Sequence, residues 1–122
     1  MDKIEFTEEL LRRTKQFALR IIKLYQALPK SGESQVIGKQ ILRCGTSVAA
    51  NYRAACRARS KAEFYSKICI VVEEADETAF WLDLMIEAKL IPEKKLSPLL
   101  KESIELLSIF SKARKTASQK TK

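Results

Sequence analysis

From Gly38 to Arg59 the side chains separate into two opposed stripes, a pattern that only a long helix can use. At about 100° per residue, Lys39, Arg43, Arg53 and Arg57 fall within an arc of roughly 80°, with Thr46 and Ala50 between them. Directly opposite run Ile37, Ile41, Cys44, Val48, Tyr52 and Ala55, spaced by threes and fours. The stretch contains no acidic residue, and Arg59 closes it with a further cation. Such a helix must bury its apolar seam against other helices. Its uncompensated cations either bind a polyanion or meet acidic groups of a neighbouring helix or subunit.

The rest of the chain repeats the helical pattern. Glycine and proline together number only six in 122 residues, and the long segments between them favour helix formers. That length suffices for one domain with a core of its own. The first helix is expected from about Thr7 to Leu28, with Thr7 as N-cap and Glu8 and Glu9 in the first turn. Leu10, Phe17, Ile21, Leu24 and Leu28 form its seam, and Pro29-Lys30-Ser31-Gly32 ends it. The second runs from about Glu33 to Arg57. A further stripe on it, Gly38, Gly45, Ala49 and Cys56, points to close approach of another backbone, within the chain or across a subunit contact.

Ser60-x-x-Glu63 fits a capping box opening a third helix, from Ser60 to about Lys89. Its seam reads Phe64, Ile68, Val71, Val72, Ala75, Ala79, Leu82 and Ile86. Its far side carries Ile70, Glu73, Glu77, Trp81 and Leu84, with Phe80 flanking them, and a monomer would leave this mixture in water. Oligomerisation explains it most simply. The fourth helix starts near Pro92 or at Ser97-Pro98 and runs to about Arg114, with a seam of Leu100, Ile104, Leu107 and Ile109/Phe110. Residues 115–122 read as a frayed basic tail. Four amphipathic helices with short connections predict an all-α, antiparallel up-and-down four-helix bundle in a single domain over residues 1–122.

Charge is unevenly spread. The net charge is +8 overall but −4 over residues 61–91. Part of the positive charge therefore has an internal or inter-subunit partner available, and the remainder attracts polyanions at low salt. No apolar run reaches the ~20 residues of a membrane-spanning helix, and no signal-peptide pattern opens the chain. A soluble cytoplasmic protein with no membrane partner is the expectation. The three cysteines, Cys44, Cys56 and Cys69, lack metal-ligand spacing and read as small buried apolar residues in a reducing compartment.

The chemistry of catalysis is poorly represented. There is no histidine, which removes the usual neutral-pH base and the commonest metal ligand. The three glycines are too dispersed for a phosphate loop. Glu73, Glu74, Asp76 and Glu77 diverge around the helix, so a solvated or salt-bridged surface fits them better than a metal site; pairing with Arg53 and Arg57 is one sharper possibility. Ser47 and Asn51, one turn apart, suit local hydrogen bonding. No catalytic residue, metal or cofactor is expected.

Two signatures resemble a known family. Gln40-Ile41-Leu42-Arg43 with Ser47-Val48-Ala49-Ala50-Asn51-Tyr52-Arg53-Ala54-Ala55 and Ser60-Lys61-Ala62-Glu63-Phe64 forms the first. Ile70-Val71-Val72-Glu73-Glu74-Ala75-Asp76-Glu77-Thr78 with Trp81-Leu82-Asp83-Leu84 forms the second. Together they resemble the 23S rRNA intervening-sequence proteins, small bacterial proteins also called four-helix-bundle proteins. The resemblance spans nearly the whole chain and implies a bundle assembling as a homopentameric ring. Accessory proteins of diversity-generating retroelements share this fold and bind nucleic acid and a reverse transcriptase through basic surfaces.

Two functions stay open. The first is a non-catalytic oligomeric accessory protein that binds nucleic acid, structured RNA above all, through Lys39, Arg43, Arg53, Arg57 and Arg59. The second is a protein-interaction scaffold whose basic face serves ring assembly or a protein partner such as a reverse transcriptase. In either case Ile70, Glu73, Glu77, Trp81 and Leu84 are the expected subunit contact.

Overall fold

Asp2 starts the first helix, ahead of the Thr7 cap expected from the sequence. Its carboxylate accepts from the Glu5 N–H at 2.8 Å, whereas the Thr7 hydroxyl donates back to the Lys3 carbonyl at 3.0 Å, as a residue inside a helix does. The computed structural model describes residues 1–121; Lys122, the end of the expected basic tail, lies outside the described residues. Four helices and no strand occur among the described residues: α1 Lys3–Ala27, α2 Gly32–Cys56, α3 Lys61–Glu87 and α4 Glu93–Thr121. Ser31 caps α2, accepting from the Ser34 N–H at 3.4 Å, and Ser60 caps α3, accepting from the Glu63 N–H at 3.0 Å.

The turn after α3 closes on Lys89, the one non-glycine residue with positive φ among those described (58°). The Lys89 N–H reaches the Ile86 carbonyl at 3.0 Å and the Leu90 N–H reaches that of Met85 at 3.3 Å, the paired bonds of a Schellman motif. Helix α4 begins at Glu93, so Pro98 stands inside it rather than at its first position. Pro98 and Lys94, whose carbonyl loses its amide partner to the proline, both reach the surface, and water can take that bond. Helix α4 also runs past Arg114 to Thr121, with Ala117 buried, so the described part of the expected frayed tail is helical.

Consecutive helices pack antiparallel. Helix α1 lies on α2, α2 on α3 and α3 on α4, while α1 and α4 meet over a short stretch only. There, Arg13 grips Glu102 with two bonds, Nε at 3.1 Å and Nη2 at 2.6 Å, and reaches Glu105 at 3.0 Å. The two carboxylates hold the Arg13 pKa above its ordinary value, the Glu102 hydrogen bond contributing most.

The core follows the seams of α1 and α2 closely. Leu10, Phe17, Ile21, Leu28, Ile41, Cys44, Val48, Tyr52 and Ala55 are all buried, and the Tyr52 ring meets Phe110 with centroids 4.9 Å apart. Each fully buried large apolar side chain is worth about 1.5–3 kcal/mol. The glycine stripe of α2 packs within the chain. A methyl on Gly38 would stand 2.3 Å from Leu28 Cδ1, and one on Gly45 2.8 Å from Ile21 Cγ1, so both glycines let α1 approach α2 closely.

Helices α3 and α4 depart from the expected seams. Thr78 and Met85 are buried on α3, while Ala79 and Ile86 are half-buried. On α4 the buried line is Leu96, Leu99, Ser103, Leu106 and Phe110, and Ile104 is 52% exposed. The helix is rotated by about one residue from the most apolar reading. Ser103 is admitted to the core because its hydroxyl donates to the Ala75 carbonyl at 3.4 Å. Of the cysteines, Cys44 is buried and Cys69 half-buried, but Cys56 is exposed, because the bundle opens into a cavity at the end where α2 stops.

Candidate nucleic-acid interface

Helix α2 turns its seam to the core, so the opposite stripe faces out. Lys39, Arg43, Arg53 and Arg57 reach the surface there, and Arg59 follows in the turn. Thr46, between them, turns its hydroxyl back to the Leu42 carbonyl at 2.6 Å. Asn51 Nδ2 donates to the Ser47 carbonyl at 3.0 Å and to its hydroxyl at 2.7 Å, so this pair serves the helix itself.

The cations do not have equal freedom. Arg43 lies beside α3, where it pairs with Glu77 and, at 3.3 Å, with Glu74, while Gln40 accepts from its Nη2 at 3.1 Å. Within the chain, Glu74 and Glu77 of α3 thus meet Arg43, not Arg53 and Arg57. Arg59 makes a loose pair with Glu63 at 3.6 Å and remains 90% exposed. Lys39, Arg53 and Arg57 form no ion pair among the described residues. Arg53 and Arg57 stand towards the end of the bundle where Lys3, Arg59 and Lys61 ring a cavity. Local sequence places Lys61 here but does not connect Lys3 to this region, because only the antiparallel packing brings the start of α1 beside the α2–α3 turn.

On α3, Glu73 is exposed, and Ile70, Glu77, Trp81 and Leu84 are half-buried. Trp81 packs against the core, its Nε1 donates to Glu77 at 3.1 Å, and its ring meets Phe80 edge-on at 5.1 Å. Phe80 is the more available ring, at 58% exposure. Glu73, Asp76, Asp83 and Glu87 reach the surface without an ion pair among the described residues. Exposed apolar side chains also occur on α1, at Ile4, Leu19 and Ile22, outside the seam expected for that helix. No group of three or more His, Cys, Asp or Glu among the described residues is placed to hold a metal, and no helix among them is long and apolar enough to cross a membrane.

Four packed helices, the second free of acids from Gly38 onward and set beside an acidic third, are the frame in which a known family is met. The chain belongs to the 23S rRNA-intervening sequence protein family, whose model matches residues 8–112. It is similar to the crystal structure of a protein with unknown function from the S23 ribosomal protein family of Bacteroides thetaiotaomicron. The two are 36% identical, with a TM-score of 0.80 over 86% of this chain and 97% of that one. Among curated proteins, none matches.

Proposed function

We propose that this protein is a non-catalytic oligomeric accessory protein that binds nucleic acid, structured RNA in preference, through the outer face of α2. The observation that carries this reading is the set Lys39, Arg53 and Arg57, on one outer face and in no ion pair among the described residues. Membership of a family named for insertions in 23S rRNA supports it. Contacts of this kind neutralise phosphates and read shape more than sequence, so affinity falls steeply with salt. In a ring, symmetry would repeat the face around the assembly and add to the field at each subunit.

The test is binding of nuclease-treated protein to a structured RNA and to duplex DNA across a salt series, with light scattering on the same sample. Saturable binding by an oligomer is expected. Replacing Lys39, Arg53 and Arg57 together by glutamate should abolish it, and each single replacement should flatten the salt slope by about one. Unchanged affinity in the folded triple variant would refute the assignment.

A second reading rests on the opposite charge of two neighbouring helix faces. Glu73, Asp76, Asp83 and Glu87 on α3 complement the α2 cations, so a second copy docking α3 against α2 would join subunits head to tail, as a homopentameric ring requires. In that case the glutamate variants would dissociate the oligomer, and no RNA would bind at ~150 mM salt.

A further inference from the structure

At the end of the bundle where the start of α1, the α2–α3 turn and the last turns of α4 meet, the core gives way to a cavity of about 690 Å³. Its origin lies in side-chain size. Ala55, Ala113 and Ala117 occupy seam positions that large residues fill nearer the middle of the bundle, such as Val48, Leu106 and Phe110. Much of the remaining wall is apolar and aromatic, from Phe6, Leu10, Phe64, Ile68 and Phe110, with Thr7, Tyr52, Ser60 and Thr116 among them. No carboxylate among the described residues lines it, while Lys3, Arg59 and Lys61 stand around it. The volume falls in the range of sites that take small molecules.

We infer that this cavity binds an amphipathic monoanion, a long-chain carboxylate, with its tail against Leu10, Phe64, Ile68 and Phe110 and its headgroup among Lys3, Arg59 and Lys61. Two observations favour that class over a nucleobase or a neutral lipid. Leu10, Phe64, Ile68 and Phe110 offer an apolar surface that an alkyl tail covers better than the polar edge of a base does. The three cations, of which only Arg59 has a carboxylate nearby, the loosely paired Glu63 at 3.6 Å, ask for a negative headgroup. An alkyl carboxylate satisfies both demands, since each methylene gains by leaving water while the charged end stays at the wet rim.

The experiment is isothermal titration of the full chain with sodium octanoate, decanoate and dodecanoate, kept below their micelle concentrations. Decanol and decyltrimethylammonium serve as headgroup controls. One site per chain is expected, with affinity rising about fourfold per methylene. Decanol should bind at least tenfold more weakly than decanoate, and decyltrimethylammonium should not bind. Arg59→Gln with Lys61→Gln should reduce decanoate affinity to that of decanol and leave decanol binding unchanged. Ala113→Phe, which fills the cavity, should abolish binding of both. If Ala113→Phe does not fold, the exposed double variant decides alone. Bound decanoate should also slow alkylation of Cys56, which lines the cavity. No saturable binding by the wild-type chain, or equal affinity for all three headgroups, overturns the inference. Decanoate that dissociates the oligomer without binding one per chain also overturns it and gives the cavity to a second copy.

Discussion

Gly45 on α2 and Ile21 on α1 stand so close that a methyl on the glycine would meet three carbons of the isoleucine, at 2.8, 3.1 and 3.1 Å. Ile21 is fully buried and branched at Cβ, so it has nowhere to retreat. Gly45→Ala should therefore lose about 1–2 kcal/mol, overpacking outweighing the helix-propensity gain of up to ~1 kcal/mol. Gly32→Ala should gain about 0.5 kcal/mol, because nothing lies within 4 Å of the added methyl. Denaturant midpoints of the two variants should move in opposite directions.

Lys89 occupies a left-handed position that glycine adopts without strain. Its side chain is exposed and makes no ion pair among the described residues. Lys89→Gly should raise stability by about 1 kcal/mol. A thermal midpoint equal to or below that of the parent would contradict a Schellman cap at this position.

Arg13 supplies the principal tie between α1 and α4, the pair that meets over the shortest stretch. Arg13→Ala should cost about 1–2 kcal/mol, more than a fully exposed pair would, because Arg13 and Glu102 are each only 20% exposed. Hydrogen exchange should speed up in the facing turns of α1 and α4 and hold steady where α2 packs on α3.

The three thiols should separate by burial. Cys44 should resist a thiol reagent until the protein unfolds, while Cys56 reacts in the native state. The apolar cavity wall beside Cys56 still desolvates its thiol in part and pushes it above the usual pKa. The neutral form is thus favoured, and its alkylation rate should level off at a higher pH than that of a small free thiol measured beside it. A plateau at lower pH would contradict this.

Phe80 and Trp81 should separate association from stability. Trp81 packs on its own core, so Trp81→Ala should cost about 2 kcal/mol as well as weaken self-association. Phe80→Ala should leave the unfolding midpoint within about 0.5 kcal/mol and weaken association alone. Light scattering that finds both variants fully assembled would remove this face of α3 from the subunit contact.

Much of the bundle could be read from local pattern. The seams of α1 and α2, and Ser60 as the cap of α3, depend on side chains within a few residues of one another, and a one-dimensional period captures them. The fourth helix shows where that stops. Leu100, Ile104 and Leu107 make as good an apolar line as Leu99, Ser103 and Leu106, but the assembled bundle buries the second line with Leu96 and Phe110, gives Ser103 the Ala75 carbonyl of α3, and leaves Ile104 outward. The cationic face divides in the same way. Its existence follows from helical spacing, but that Arg43 meets Glu74 and Glu77 while Arg53 and Arg57 form no ion pair among the described residues depends on how α2 and α3 are set against each other along their length.

Periodicity and capping act over a few residues, so the chain's own order of side chains was enough for four amphipathic helices and an acid-free face on the second. The rotation of α4, the partner of Arg43, the need for Gly45 and the cavity ringed by Lys3, Arg59 and Lys61 came instead from the assembled bundle. Each of these is a relation between helices whose facing residues lie far apart in the chain. It depends on axial rotation and register, which packing sets and no single helix encodes.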